Sequence, residues 1–158
     1  MRCDKVKTLS GLIRVLKKYK AKKKKVVFTN GCFDILHRGH VDYLARAKAL
    51  GDILVVGLNS DTSVRKLKGR GRPIVKEKDR AMVLSALGCI DFVVIFNSPT
   101  PFGLIKGLRP DVLVKGGDWK AKDIVGGKLV RSYGGKVKSL SYIKGFSTKD
   151  LIKRIASY

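Results

Sequence analysis

The segment Thr29-Asn30-Gly31-Cys32-Phe33-Asp34-Ile35-Leu36-His37-Arg38-Gly39-His40 contains both histidines of the 158-residue chain. They stand three positions apart, where an apolar run at 26–29 gives way to a helical pattern. Positions i and i+3 at a helix start share a face. Two imidazole N–H donors there point at one anion, beside the positive helix end and its free backbone N–H groups. Gly39 is expected to let a phosphate approach the backbone, and Gly31 to give the strand a sharp exit. A bare His-x-x-His is ordinarily two surface histidines, but its place straight after a strand and a glycine turn weighs against that. Cys32, His37 and His40 also suggest zinc. A structural zinc site needs four ligands, and no second Cys-x-x-Cys or further His exists, so no protein-held metal is expected.

Two other segments carry candidate chemistry. Ser147-Thr148 opens the last helical pattern, and hydroxyls at a helix start make an anion site or a plain cap. Lys115-Gly116-Gly117-Asp118 follows a strand-like run, where glycines admit a ligand and Lys115 and Asp118 are candidates to touch it.

These segments need a frame that brings them together. Apolar runs at 26–29, 53–58, 92–96, 111–115 and 137–140 predict five strands. Helical spacing joins Leu9, Leu12, Ile13, Leu16 and Tyr19, with Thr8 or Ser10 as cap. It recurs in Val41, Leu44, Ala45 and Ala47, around 62–67, in Ala81, Val83, Leu84 and Leu87, at 101–108, at 124–133, and from Ser147 or Thr148 to Ile155. Apolar strands alternating with helices predict an α/β fold, a doubly wound parallel sheet of Rossmann-like type. Its ligand belongs beyond the carboxyl ends of the strands, where strand order reverses. One domain over 1–158 is expected, with 1–25 as a basic helical extension.

Lys and Arg number 35 against 12 Asp and Glu, a net charge of +23, which favours anionic partners: nucleotides, sugar phosphates, nucleic acid or anionic lipid. No run of about 18 apolar residues spans a membrane. No signal-like segment opens the chain, so it is expected to be cytoplasmic and without a membrane partner. Cys3, Cys32 and Cys89, odd in number and widely spaced, fit reduced thiols.

The Gly-x-Phe-Asp and His-x-Gly-His motifs resemble those of the cytidylyltransferase-like nucleotidyltransferases. The resemblance continues through Asn59-Ser60-Asp61, Leu67-Lys68-Gly69, Arg72-Pro73, Arg80, Val112–Asp118 and Gly145-Phe146-Ser147-Thr148. It is strongest to the branch that adenylylates a heptose 1-phosphate for lipopolysaccharide core synthesis, often fused to a sugar kinase. It implies that His37 and His40 hold the triphosphate and stabilise the transition state, with Lys68 and Arg80 assisting. It implies nucleotide contacts at Asn30, Gly31, Cys32, Phe33, Gly39, Lys115, Gly116, Asp118, Ser147 and Thr148. Asp34, Asn59, Asp61, Arg65 and Arg72 are expected to meet the substrate. Mg²⁺ is expected to travel with ATP, a separate kinase to supply the sugar 1-phosphate, and the chain to form a homodimer. With about 25 residues before the first strand, no kinase half is expected. Glycerol-phosphate cytidylyltransferases have Thr at the place of Cys32 and Arg at the place of Tyr142, which points away from cytidine recognition.

Two rival functions frame this reading. A glycerol-3-phosphate cytidylyltransferase or FAD synthetase would keep the same motifs with another substrate pair. A basic nucleic-acid-binding protein would explain the charge, but no zinc finger, helix-turn-helix or RNA-binding aromatic pair is present, so nucleic acid is not expected.

Overall fold

A computed structural model describes residues 4–158 except Asp118 and Lys144. The strands are β1 (Val26–Gly31), β2 (Ile53–Asn59), β3 (Phe92–Phe96), β4 (Val112–Gly116) and β5 (Lys136–Leu140). The helices are α1 (Leu9–Ala21), α2 (Arg38–Lys48), α3 (Asp61–Lys68), α4 (Glu77–Ala86), α5 (Phe102–Leu108), α6 (Gly127–Ser132) and α7 (Thr148–Ile155). A 3₁₀ turn covers Ala121–Asp123. The five strands form one sheet in the order β3-β2-β1-β4-β5, every pair parallel. This is the Rossmann-like arrangement. Chain order reverses between β1 and β4, so a crevice opens beyond their carboxyl ends.

Alternation along each inner strand feeds two cores. Val26, Phe28, Ile53, Val55 and Leu113 face α1, α5 and α6, where Leu12, Leu16, Ile105 and Val130 are buried. Val27, Leu54, Val56, Val112 and Val114 face the other layer, with Tyr43, Leu44 and Leu84 of α2 and α4. Thr8 caps α1, its Oγ1 accepting from the Gly11 N–H at 3.2 Å. Three aspartates fasten the amino ends of the strands. Asp52 accepts from the Lys25 N–H, Asp91 from Leu54 and Asp111 from Val26. At the β3 edge, Val6 makes a parallel bridge to Val93, covering part of an otherwise open edge.

Some elements depart from the periodicity. On α2 the buried stripe is Gly39, Tyr43, Leu44 and Ala47, so Val41 is 41% exposed and Ala45 faces out. Tyr43 displaces them because its hydroxyl finds Thr29 Oγ1 at 2.5 Å in the core. On α4 the buried stripe is Arg80, Ala81, Leu84 and Ser85, and Val83 is exposed. The expected helix at 124–133 is shortened to α6, because Gly126 takes a left-handed φ of 80° at its start.

Candidate active site

The chain leaves β1 through a turn fixed by Phe33, not Gly31. Phe33 takes φ 43°, a left-handed conformation unusual for an aromatic residue. A Cβ on Gly31 would lie 2.9 Å from the Phe33 ring, so the glycine makes room for that ring. His37 is the N-cap of α2 with no side-chain cap bond, which leaves its imidazole free. The His37 and His40 rings stack with centroids 3.9 Å apart and planes 24° apart. Both Nδ1 atoms are buried without a hydrogen-bond partner. Buried polar atoms are ordinarily satisfied, so this pair of orphans stands out. Burial, then the neighbouring His37, pushes the His40 pKa down to about 4, and burial lowers that of His37. A backbone hydrogen bond to Ile35 partly opposes the fall at His40, and both imidazoles are neutral at pH 7, each with one N–H and one acceptor nitrogen.

A second helix start meets the first. A Cβ on Gly39 would sit 3.0 Å from Phe146 Cβ and 3.1 Å from the His37 ring. The expected close approach at Gly39 is thus made by protein groups. The Arg38 guanidinium lies 5.7 Å from the centre of the Phe146 ring. These contacts bring the N-terminus of α7 beside that of α2. Ser147 caps α7, with Oγ accepting from the Asp150 N–H at 3.0 Å and donating to its carboxylate at 2.7 Å. Ser147 and Thr148 line the same cavity as His37 and His40.

Other charged residues are committed to the scaffold. Asp34 accepts from the Ile74 N–H at 2.8 Å, the Val75 N–H at 2.9 Å and Arg72 Nε at 2.6 Å. Desolvation would raise its pKa, but these bonds outweigh it and hold the carboxyl below its ordinary value. Asp34 therefore pins the loop at 72–75 to the β1 exit. Arg80, 1% exposed, lies outside the cavity lining. Its guanidinium donates to the carbonyls of Val75 at 2.9 Å and Cys32 at 2.5 Å and to Asp61 at 2.8 Å. Asp61 in turn has its N–H held by Glu77 at 2.7 Å. Asn59 reaches the cavity wall but donates to Ser63 Oγ at 2.9 Å. Arg65 is exposed on α3 and outside the lining.

The remaining candidates face the opening. Asn30, Gly31, Cys32, Phe33, Lys68, Arg72, Lys115 and Gly116 all line a cavity of about 800 Å³, large enough for a nucleotide. Burial, partly opposed by Lys68, Arg80 and Arg72, raises the Cys32 pKa, so the thiol stays protonated. Burial lowers the Lys115 pKa, and Lys68 adds to that. Gly116 makes room for a side chain: a Cβ there would be 2.6 Å from the Tyr142 ring. Asp118 lies outside the described residues. A smaller pocket of about 110 Å³ adjoins the cavity beneath Trp119, floored by Leu113, Ile124 and Val125. Sequence reasoning missed Trp119 and Glu77; the one tryptophan, directly after Gly-Gly-Asp, was an available signal. Among the described residues no three His, Cys, Asp or Glu side chains gather to hold a metal.

Residues 28–152 match the family described as cytidylyltransferase-like. The chain belongs to that family. This cytidylyltransferase-like chain is 54% identical over 151 residues to the bifunctional protein HldE of Geobacter metallireducens, covering 96% of the chain and 31% of the relative. It is 60% identical over 133 residues to that of Campylobacter concisus, covering 84% of the chain and 27% of the relative. The chain thus spans under a third of the length of these curated relatives. A lipopolysaccharide core biosynthesis protein from Thermoplasma volcanium superimposes with a TM-score of 0.62 at 28% identity, over 78% of this chain and 99% of the other. Pantothenate synthetase from Thermus thermophilus, at 14% identity and a TM-score of 0.63, covers 93% of this chain and 67% of its own, and shares the fold. Family membership makes the reaction class nucleotidyl transfer.

Proposed function

We propose that this nucleotidyltransferase domain moves AMP from ATP onto a heptose 1-phosphate, giving ADP-heptose and pyrophosphate for lipopolysaccharide core synthesis. The observation that carries the triphosphate half is the stacked His37/His40 pair in the cavity lining, with two buried Nδ1 atoms that no protein group satisfies. The heptose half rests on the sequence resemblance, supported by the HldE relatives and the lipopolysaccharide core protein.

An acceptor phosphate oxygen attacks the α-phosphorus in line, the bond to the β-phosphate oxygen breaks, and pyrophosphate leaves on the far side. The protein supplies placement and charge stabilisation. His37 and His40 donate N–H bonds to phosphate oxygens whose charge grows in the transition state, and the α2 and α7 starts add oriented dipoles. Lys68 and Lys115 face the cavity without an ion pair among the described residues. They complete the cradle for the anion. Arg80 and Asp34 act as positioning residues through the Cys32 carbonyl and the loop at 72–75. The Tyr142 ring packs on the base or ribose, and the pocket under Trp119 takes the acceptor. Mg²⁺ would enter with the triphosphate and offset its charge; Asp34 and Asp61 are held by protein partners, and among the described residues no three donors gather. The proposal includes a cytoplasmic homodimer working downstream of a separate sugar kinase.

The test is pyrophosphate release over a grid of ATP, CTP, GTP and UTP against heptose 1-phosphate, glycerol 3-phosphate and FMN. ATP with heptose 1-phosphate should turn over fastest. Faster release from CTP with glycerol 3-phosphate, or from ATP with FMN, would replace the assignment.

A further inference from the structure

The end of the molecule opposite the cavity carries a charge that the nucleotide site does not use. Lys17, Lys18, Lys22, Lys23, Lys24 and Lys25 are all exposed, at the C-terminus of α1 and the turn into β1. The patch continues onto neighbouring elements. Lys20 Nζ donates to the carbonyls of Leu108 and Arg109 at 2.8 and 2.5 Å, joining the α1 end to the α5 end. Lys24 bonds the Asp52 carboxylate at 3.1 Å, and Lys48 Nζ donates to the Asp52 carbonyl. The carboxylates at this end are largely spent. Asp52, Asp91 and Asp111 each give an oxygen to a strand N–H.

Helix-end electrostatics accounts for part of this charge. Lys18 and Lys20 lie in the last turn of α1, where cations offset the helix dipole. It does not account for the left-handed backbone under two of the cations, Lys23 at φ 56° and Arg109 at φ 46°, the latter also stacked 4.4 Å from the centre of the Tyr133 ring. Glycine fills such left-handed positions without steric cost. Two packed helix ends thus both carry a cation where glycine would be easier.

We propose that this end is an electrostatic docking surface for an anionic lipid bilayer. Clusters of four to eight lysines adsorb to acidic headgroups at about 1 kcal/mol per residue. The patch is lysine-dominated, with hydrated point charges rather than the guanidinium forks that grip nucleic-acid phosphates. No large apolar or aromatic side chain is exposed within residues 17–25, so stacking platforms for single-stranded nucleic acid are missing there. The expectation of no membrane partner rested on the lack of a spanning segment, and adsorption needs none. Docked this way, the carboxyl ends of the strands and the cavity face away from the lipid.

Sedimentation of the full chain with vesicles tests the proposal in about 0.1 M salt. The protein should pellet with equal parts phosphatidylglycerol and phosphatidylcholine and stay in solution with phosphatidylcholine alone. Changing Lys17, Lys18, Lys22 and Lys23 to Gln together should cut partitioning by at least about tenfold. The same change at Lys78, Lys122, Lys128 and Lys153 removes equal charge elsewhere and should cost much less. Lys23→Gly relieves the left-handed strain, so it should keep or raise Tm while lowering partitioning. Pyrophosphate release should be unchanged in each variant. Failure of the wild type to pellet, or equal losses in the two fourfold variants, overturns the proposal. So does a short DNA duplex that displaces the protein from vesicles and depends on the same four lysines, which would make the partner a nucleic acid.

Discussion

Two sets of ionisable side chains lie in or beside one cavity, and they use their hydrogen bonds in opposite ways. Asp34 and Arg80 have every strong interaction satisfied by protein, and Arg80 does not reach the cavity at all. His37 and His40 line the cavity with nitrogens that no protein group satisfies. Residues that look alike in a motif therefore divide into those that hold the site's shape and those left open for the ligand. The difference teaches that a charged residue near a phosphate site is not by that fact a phosphate ligand.

The comparison breaks first at Arg80. Arg80→Ala should destabilise the fold by about 3–5 kcal/mol, because it leaves Asp61 and two part-buried carbonyls without their donor. Chemical denaturation reads this directly. A variant of unchanged stability and greatly reduced turnover would move Arg80 into the other set.

His37→Ala and His40→Ala should do the reverse, each lowering turnover by at least about a hundredfold with little change in Tm. Single-turnover pyrophosphate release beside circular dichroism checks both halves. Near-wild-type turnover in either variant would remove that histidine from the transition state.

The smallest effect is on pH dependence, and its sign follows from burial. The folded pKa of His40 is about 4 against an ordinary 6.5, so the unfolded chain binds more protons between those values. Stability that is present above about 6.5 should fall as pH drops through that window. Asp34, held below the ordinary carboxylate value, adds its loss at still lower pH. A thermal-melt series from pH 7.5 downward should show the first decline, and His40→Gln should flatten it. A bound triphosphate should raise the His40 pKa, since it favours the charged ring. An NMR titration that found no shift would place the phosphates elsewhere.

Much of this was legible in the sequence. Short apolar runs alternating with helical patterns predicted the five parallel strands, and the histidine spacing predicted a shared face. The partners of Asp34 and Arg80 were not legible. Asp34 bonds residues about 40 positions away, and Arg80 reaches back 48 to Cys32. Only the closed fold brings them together. The glycines misled in a similar way. Gly39 and Gly116 signal close approach, but the sequence does not say that Phe146 and Tyr142 are what approaches. On α2, apolarity favoured Val41 over Tyr43, because a hydroxyl partner on the neighbouring strand cannot be read from local spacing.

The attachment of α7 has a consequence for how the site is completed. The helix buries no side chain of its own. The segment leading into it is tied by Phe146 against Gly39 and by Arg46 donating to the Ser141 carbonyl at 2.6 Å. Elements with so few buried contacts open at low free-energy cost, well before the global unfolding of the sheet. An anion that touches both helix starts binds only the closed arrangement, and so draws the population toward it by mass action. On the proposed function, half of the cradle would stand ready before the ligand comes, and the other half would gain its order from the ligand.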